Sequence, residues 1–254
     1  MFKNIVASTA LATLMFPETQ AGSSNENPGP FVGETWYSGL IDIDHKENGH
    51  VDDIFYWWFE SRNDASTDPL VLWLTGGPGC ASEIALFYEN GPFQFEEDGK
   101  TLKSNPYSWN TRANLLYVDQ PVGTGFSHSA ITHLNTNEDE VAENMAQFLE
   151  KFVAKYPQLE GRDFYITGES YAGHYIPAIS HNLAFKHPEL KLNFKGLAIG
   201  NGLVDPYTQY PQYDVFSYEN KLIGVAEYEL LKAGFAGCQG LIKTGVWPVA
   251  LEVC

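Results

Sequence analysis

The sequence predicts an α/β fold, a mostly parallel sheet flanked by helices, and three observations carry that expectation. Short, almost wholly apolar runs recur at Asn114 to Asp119, Asp163 to Thr167 and Phe194 to Ile199, the composition of strands covered on both faces. Between the first two, Val141, Met145, Phe148, Leu149, Phe152 and Val153 recur at helical spacing. A strand, helix, strand unit puts its strands parallel and its helix against the sheet. Finally, at Gly168 to Ala172 a strand runs through a turn of small residues into a helical stretch.

In chain order, Lys3, the apolar run from Ile5 to Phe16 and the polar, small-residue end at Ala21 predict a secretory signal peptide over residues 1 to 21. The run is too short to span a bilayer. Residues 22 to 254 follow as one domain without repeats. Trp36 to Ile43, Asp53 to Ser61 and Pro69 to Thr75 read as strands, the second carrying Phe55-Tyr56-Trp57-Trp58-Phe59. The helix after Thr136 or Asn137, either of which can cap it, has Lys155 in its last turn and Pro157 beyond. After Asn201-Gly202 the chain becomes Tyr-rich, with an amphipathic stretch near Glu219 to Phe235. It reads as a helical insertion starting near 205, over the carboxyl edge of the sheet.

Composition bounds the function. The 254 residues are 44% hydrophobic and 14% aromatic, enough for a sizeable core. A net charge of -17 argues against a nucleic-acid partner and fits an acidic lysosomal or vacuolar compartment or the extracellular space. Cys80, Cys238 and Cys254 are an odd set for an oxidising compartment, so at least one has no partner within the chain, and their pairing is left open.

The strand-turn-helix at Gly168-Glu169-Ser170-Tyr171-Ala172 has the form of a nucleophile elbow, with Ala172 at the fifth position where the pattern has Gly. Small residues flank such a serine because strand and helix approach closely there, and the hydroxyl is pushed out above the sheet. Ser170 is the candidate nucleophile. The Gly76-Gly77-Pro78-Gly79 turn reads equally as a tight strand exit and as backbone N–H groups presented to a substrate oxygen.

Gly168 to Pro177 resembles the nucleophile motif of the serine carboxypeptidase family at every position. Trp73 to Cys80, Glu89-Asn90-Gly91-Pro92, Asp119 to Ser127 and Ile199 to Gly202 are similar to further blocks of that family in the same order. The resemblance runs from about residue 31 onward. It implies an α/β-hydrolase fold and a serine-type carboxypeptidase that frees C-terminal residues of peptides through an acyl-enzyme, with no metal or organic cofactor. It further implies an oxyanion hole from the N–H groups of Gly77 and Tyr171. A substrate-carboxylate site is implied from Trp73, Thr75, Gly76, Glu89 and Glu169, the two glutamates sharing a proton. Thr75 departs from the family, which usually has Asn there, and offers one short hydroxyl in place of an amide.

In this fold the Asp and His of the triad follow the nucleophile, after the helical insertion. Neither has a strand-loop context in the 84 residues after Ser170. His174 reads as structural, and His128, His133, His181 and His187 as surface histidines without a supporting acid. The expectation is therefore a fold whose C-terminal part is missing. The chain by itself would be nearly inactive and would expose the strand at Phe194 to Ile199 as an apolar edge, with a companion C-terminal chain as a partner. Two other functions remain: a catalytically disabled carboxypeptidase-like binding protein, and an acyltransferase in which an alcohol replaces water.

Overall fold

The computed structural model describes residues 21–22, 31–44, 51–130 and 133–254. Residues 1–20 of the expected signal peptide lie outside the described residues, and Ala21, its last residue, pairs opposite Tyr37 in the sheet. The chain divides into two compact units, Met1–Gly202 and Leu203–Cys254, beside the expected start of the helical segment.

The first unit is built on a seven-stranded sheet. Its strands are β1 (Ala21–Gly22), β2 (Trp36–Asp44), β3 (Val51–Phe59), β4 (Leu70–Leu74), β7 (Asn114–Val118), β8 (Asp163–Glu169) and β9 (Asn193–Gly200), ordered β1-β2-β3-β7-β4-β8-β9. The strands from β1 to β7 in that order pair antiparallel, with Trp36 opposite Phe59. From β7 through β4 and β8 to β9 the sheet is parallel, Leu72 lying between Leu116 and Ile166. β5 (Phe93–Phe95) and β6 (Leu102–Ser104) form a separate hairpin. Both, and the helix α1 (Glu83–Tyr88), escaped the sequence reading because elements of three to six residues are shorter than a periodicity window.

Alternation along β3 explains its aromatic run. Ile54, Tyr56 and Trp58 enter a core shared with α2 (Glu138–Lys155) and α3 (Ala172–Phe185), while Phe55, Trp57 and Phe59 enter a second cluster with Phe31, Trp36, Trp73 and Phe93. Successive side chains point to opposite faces, so consecutive aromatics serve a strand only where both faces are covered. Each fully buried side chain contributes roughly 1.5–3 kcal/mol.

The six apolar positions read as the inner face of α2 are all buried. Asn137, not Thr136, is the cap: its side chain accepts the Glu140 N–H at 3.0 Å. Asn137→Ala is expected to cost about 1 kcal/mol, read by urea unfolding; an unchanged midpoint would mean that Thr136 takes over the cap.

At β9 the expected burial on both faces fails and the expected apolar edge is found. The strand is not covered on both faces: Phe194 and Ile199 pack on the core, but Leu197 is 46% exposed. The reason is position, since β9 is the edge of the sheet and pairs only with β8 among the described residues.

The second unit consists of α4 (Pro206–Gln209), α5 (Tyr213–Glu219), α6 (Val225–Thr244) and α7 (Trp247–Val253). The amphipathic stretch expected from Glu219 is broken before α6, where Lys221 takes φ 59° and the Gly224 N–H donates to Glu227 Oε2 at 3.0 Å to start the new helix. A disulfide joins Cys238 to Cys254, and Cys80 is the free cysteine.

Candidate active site

Ser170 stands exposed between the end of β8 and the start of α3, with φ 59°. The left-handed region costs an L-residue roughly 1–2 kcal/mol, which the surroundings hold in place. The Ser170 N–H donates to Gly200 O at 3.0 Å, and the Ser170 carbonyl accepts from the Gly173 N–H at 3.0 Å. Close approach dictates the small residues: a Cβ on Gly168 would lie 2.1 Å from Leu74 O and 3.0 Å from the Ala172 Cβ.

The glycine turn after β4 abuts this elbow. A Cβ on Gly76 would lie 2.4 Å from the Tyr171 nitrogen and 2.7 Å from Glu169 O, so only glycine lets the two segments touch. The Cys80 N–H closes the turn on Gly76 O at 3.1 Å. Gly77 is exposed at φ 113°, and its N–H meets no acceptor among the described residues. Beneath the turn, Ser82 Oγ donates to Val118 O at 2.7 Å, and the Ser82 N–H donates to Asp119 Oδ1 at 2.9 Å.

Two carboxyl pairs flank the turn. Glu89 and Glu169 hydrogen-bond, and partial burial, then the Glu169 charge, then that bond push the Glu89 carboxyl up to about 7. Beside them the Trp73 indole Nε1–H donates to Thr75 Oγ1 at 3.1 Å, leaving the buried threonine hydroxyl its own proton to donate. The structure thus brings Ser170, Tyr171, Gly76 and Glu169 together at the elbow, joins Glu89 to Glu169, and ties Trp73 to Thr75. The second pair, Glu83 with Asp119, was not foreseen. Burial, then the Asp119 charge, then a hydrogen bond to Asp119 push Glu83 up to about 9, and Glu83 Oε2 is fully buried. Asp119 lies in a quoted motif block, but nothing in the sequence marks Glu83, whose partner is 36 positions away.

The histidine reading needs correction. His187 has two supporting acids, Glu143 at 3.1 Å and Glu189 at 3.3 Å, and His133 is 11% exposed with Asp52 3.9 Å away. Glu189 stands two positions from His187 and is local in the sequence, whereas Glu143 and Asp52 are brought to their histidines by packing. His187 still lies beyond the far end of the 14-residue α3, roughly 20 Å from Ser170 at ~1.5 Å per residue. His174 is in the first turn of α3, its ring 4.7 Å from that of Tyr171.

The family model described as serine carboxypeptidase matches residues 27–242. The chain belongs to the serine carboxypeptidase family. It is 43% identical to serine carboxypeptidase-like 47 of Arabidopsis thaliana over 92% of this chain and 48% of that protein. It is 44% identical to serine carboxypeptidase S10 family member 1 of Dictyostelium discoideum, over 85% of this chain and 52% of the relative. A crystal structure of a prohormone-processing carboxypeptidase from Saccharomyces cerevisiae has a TM-score of 0.72 with 31% identity, covering 86% of this chain and 49% of that one. The fold is that of the α/β-hydrolases. This serine carboxypeptidase chain spans about half the length of the relatives it matches.

Proposed function

We propose that this chain carries the nucleophile and the substrate-carboxylate site of a serine carboxypeptidase that releases C-terminal residues from peptides. The observation that carries the reading is the contact of the exposed, left-handed Ser170 with the Gly76 turn, across which a single glycine hydrogen separates the Tyr171 N–H from the loop bearing the Gly77 N–H. Ser170 Oγ attacks the scissile carbonyl, the N–H groups of Gly77 and Tyr171 receive the developing oxyanion, and an acyl-enzyme results. The general base and its orienting carboxylate are assigned to family sequence that follows the residues present, so this chain acts with a companion or continuing segment. The reading needs no metal or organic cofactor.

Thr75, Gly76, Glu89 and Glu169, with Trp73 orienting Thr75, bind the free carboxylate of the substrate. While Glu89 and Glu169 share a proton the pair can donate to that carboxylate. Once Glu89 ionises, two charges repel it. KM is therefore expected to rise as pH passes through about 7, where Glu89 loses its proton. Glu89→Gln keeps a donor without a titration and should flatten KM between pH 6 and 8; a variant with the wild-type pH profile would remove Glu89 from the site. The same acid preference supports a vacuolar, lysosomal or extracellular location. Among the described residues no helix is long and apolar enough to cross a membrane.

The test is product analysis on a blocked dipeptide, with a fluorophosphonate probe mapped by peptide mass, on protein expressed from its complete coding sequence. Labelling of Ser170 with release of the C-terminal residue is expected. Absence of labelling would mean a binding protein on this scaffold, and an ester formed with an added alcohol at the expense of hydrolysis would mean an acyltransferase.

A further inference from the structure

Tyr175 lies one turn into α3 and is 1% exposed, yet its hydroxyl does not serve its own helix. The Gly79 N–H donates to Tyr175 Oη at 3.1 Å, across 96 positions of sequence. Gly79 is the last residue of the Gly76-Gly77-Pro78-Gly79 turn and stands at φ 77°. The ring of Tyr175 lies edge-on to that of Tyr171, 5.1 Å between centroids. One side chain thus touches both segments that present the oxyanion donors.

We propose that Tyr175 is a positioning residue for the oxyanion hole, its hydroxyl fixing the glycine turn to the helix that starts at the nucleophile. The inference rests on the carboxypeptidase reading for its substrate but not for its geometry. Gly76 fixes the near end of the turn by backbone contact with Tyr171, and the Cys80 N–H bond to Gly76 O holds its chord. Gly77, Pro78 and Gly79 between them are exposed. The bond to Tyr175 anchors the far end to α3, so the direction of the Gly77 N–H depends on it. A displacement of the order of 1 Å in such a donor costs about 10²-fold in rate, and losing one outright costs a comparable factor. A loosened donor should cost less.

Tyr175→Phe removes the oxygen and keeps the ring packing. In protein expressed from the complete coding sequence, with active sites counted by fluorophosphonate titration, kcat is expected to fall about tenfold, and 2-phenylethaneboronic acid, whose serine adduct places an oxygen in the hole, to bind about tenfold more weakly. KM for the dipeptide and inhibition by free phenylalanine, which report the carboxylate site, should stay within about twofold. Values of kcat and boronate affinity within about twofold of the wild type overturn the proposal, as does a parallel loss of all four quantities, which would report general loosening of the fold. Wild type that hydrolyses a p-nitrophenyl ester but no C-terminal peptide bond refutes the carboxypeptidase reading alone, and the Tyr175 comparison is then read on the ester. Wild type inert to both overturns both.

Discussion

In protein expressed from the complete coding sequence, Ser170→Ala and Ser170→Gly should each lower kcat by on the order of 10⁶, while moving stability in different directions. Both lack the oxygen that attacks the carbonyl, so the rates should agree. The backbone separates them. At φ 59° an alanine keeps the Cβ that crowds its carbonyl, whereas glycine relieves the roughly 1–2 kcal/mol held there and gives part of it back through a more flexible unfolded chain. Ser170→Gly is therefore expected to unfold about 0.5–1 kcal/mol later than Ser170→Ala in urea. Equal midpoints would mean that the elbow is unstrained, and retained turnover in either variant would move the nucleophile elsewhere.

Glu83→Gln should make the protein markedly more resistant to unfolding at alkaline pH. In the folded state Glu83 holds a proton because burial and the neighbouring Asp119 charge disfavour its anion, and it donates that proton to Asp119. Burial raises the Asp119 carboxyl as well, but the hydrogen bond from Glu83 and the N–H groups of Phe126 and Ser82, at 2.8 and 2.9 Å, favour its anion, so Asp119 is the acceptor. Glu83 is raised from 4.5 to about 9 on folding, so its stabilising contribution is complete below 4.5 and is lost progressively as pH rises toward 9. The upper limit is about 1.4 kcal/mol per pH unit, and residual solvent access brings the expected loss between pH 5 and 8 to about 2 kcal/mol. Glutamine keeps the donor and cannot ionise, so urea unfolding at pH 5 and 8 should show the wild type losing that amount more than the variant. Glu89 also titrates in this window, but it does so in both proteins and cancels in the difference. Parallel losses would mean that Glu83 is already ionised in the folded state.

Local chemistry determined much of this protein in advance. The aromatic run of β3, the inner face of α2 and the small residues around Ser170 are each imposed by a rule that acts within a few residues: alternation, helical periodicity, and the absence of room for a Cβ. The strands and the elbow were legible for that reason, and the motif blocks carried the family. Tertiary structure decided what depends on residues far apart. It brought Glu143 to His187, paired Cys238 with Cys254, set Glu83 against Asp119, and turned the Tyr175 hydroxyl toward Gly79 across 96 residues. The members of each such pair stand 16 or more positions apart, and the energy of a buried carboxyl or a borrowed hydroxyl is set by the partner it meets when the chain closes.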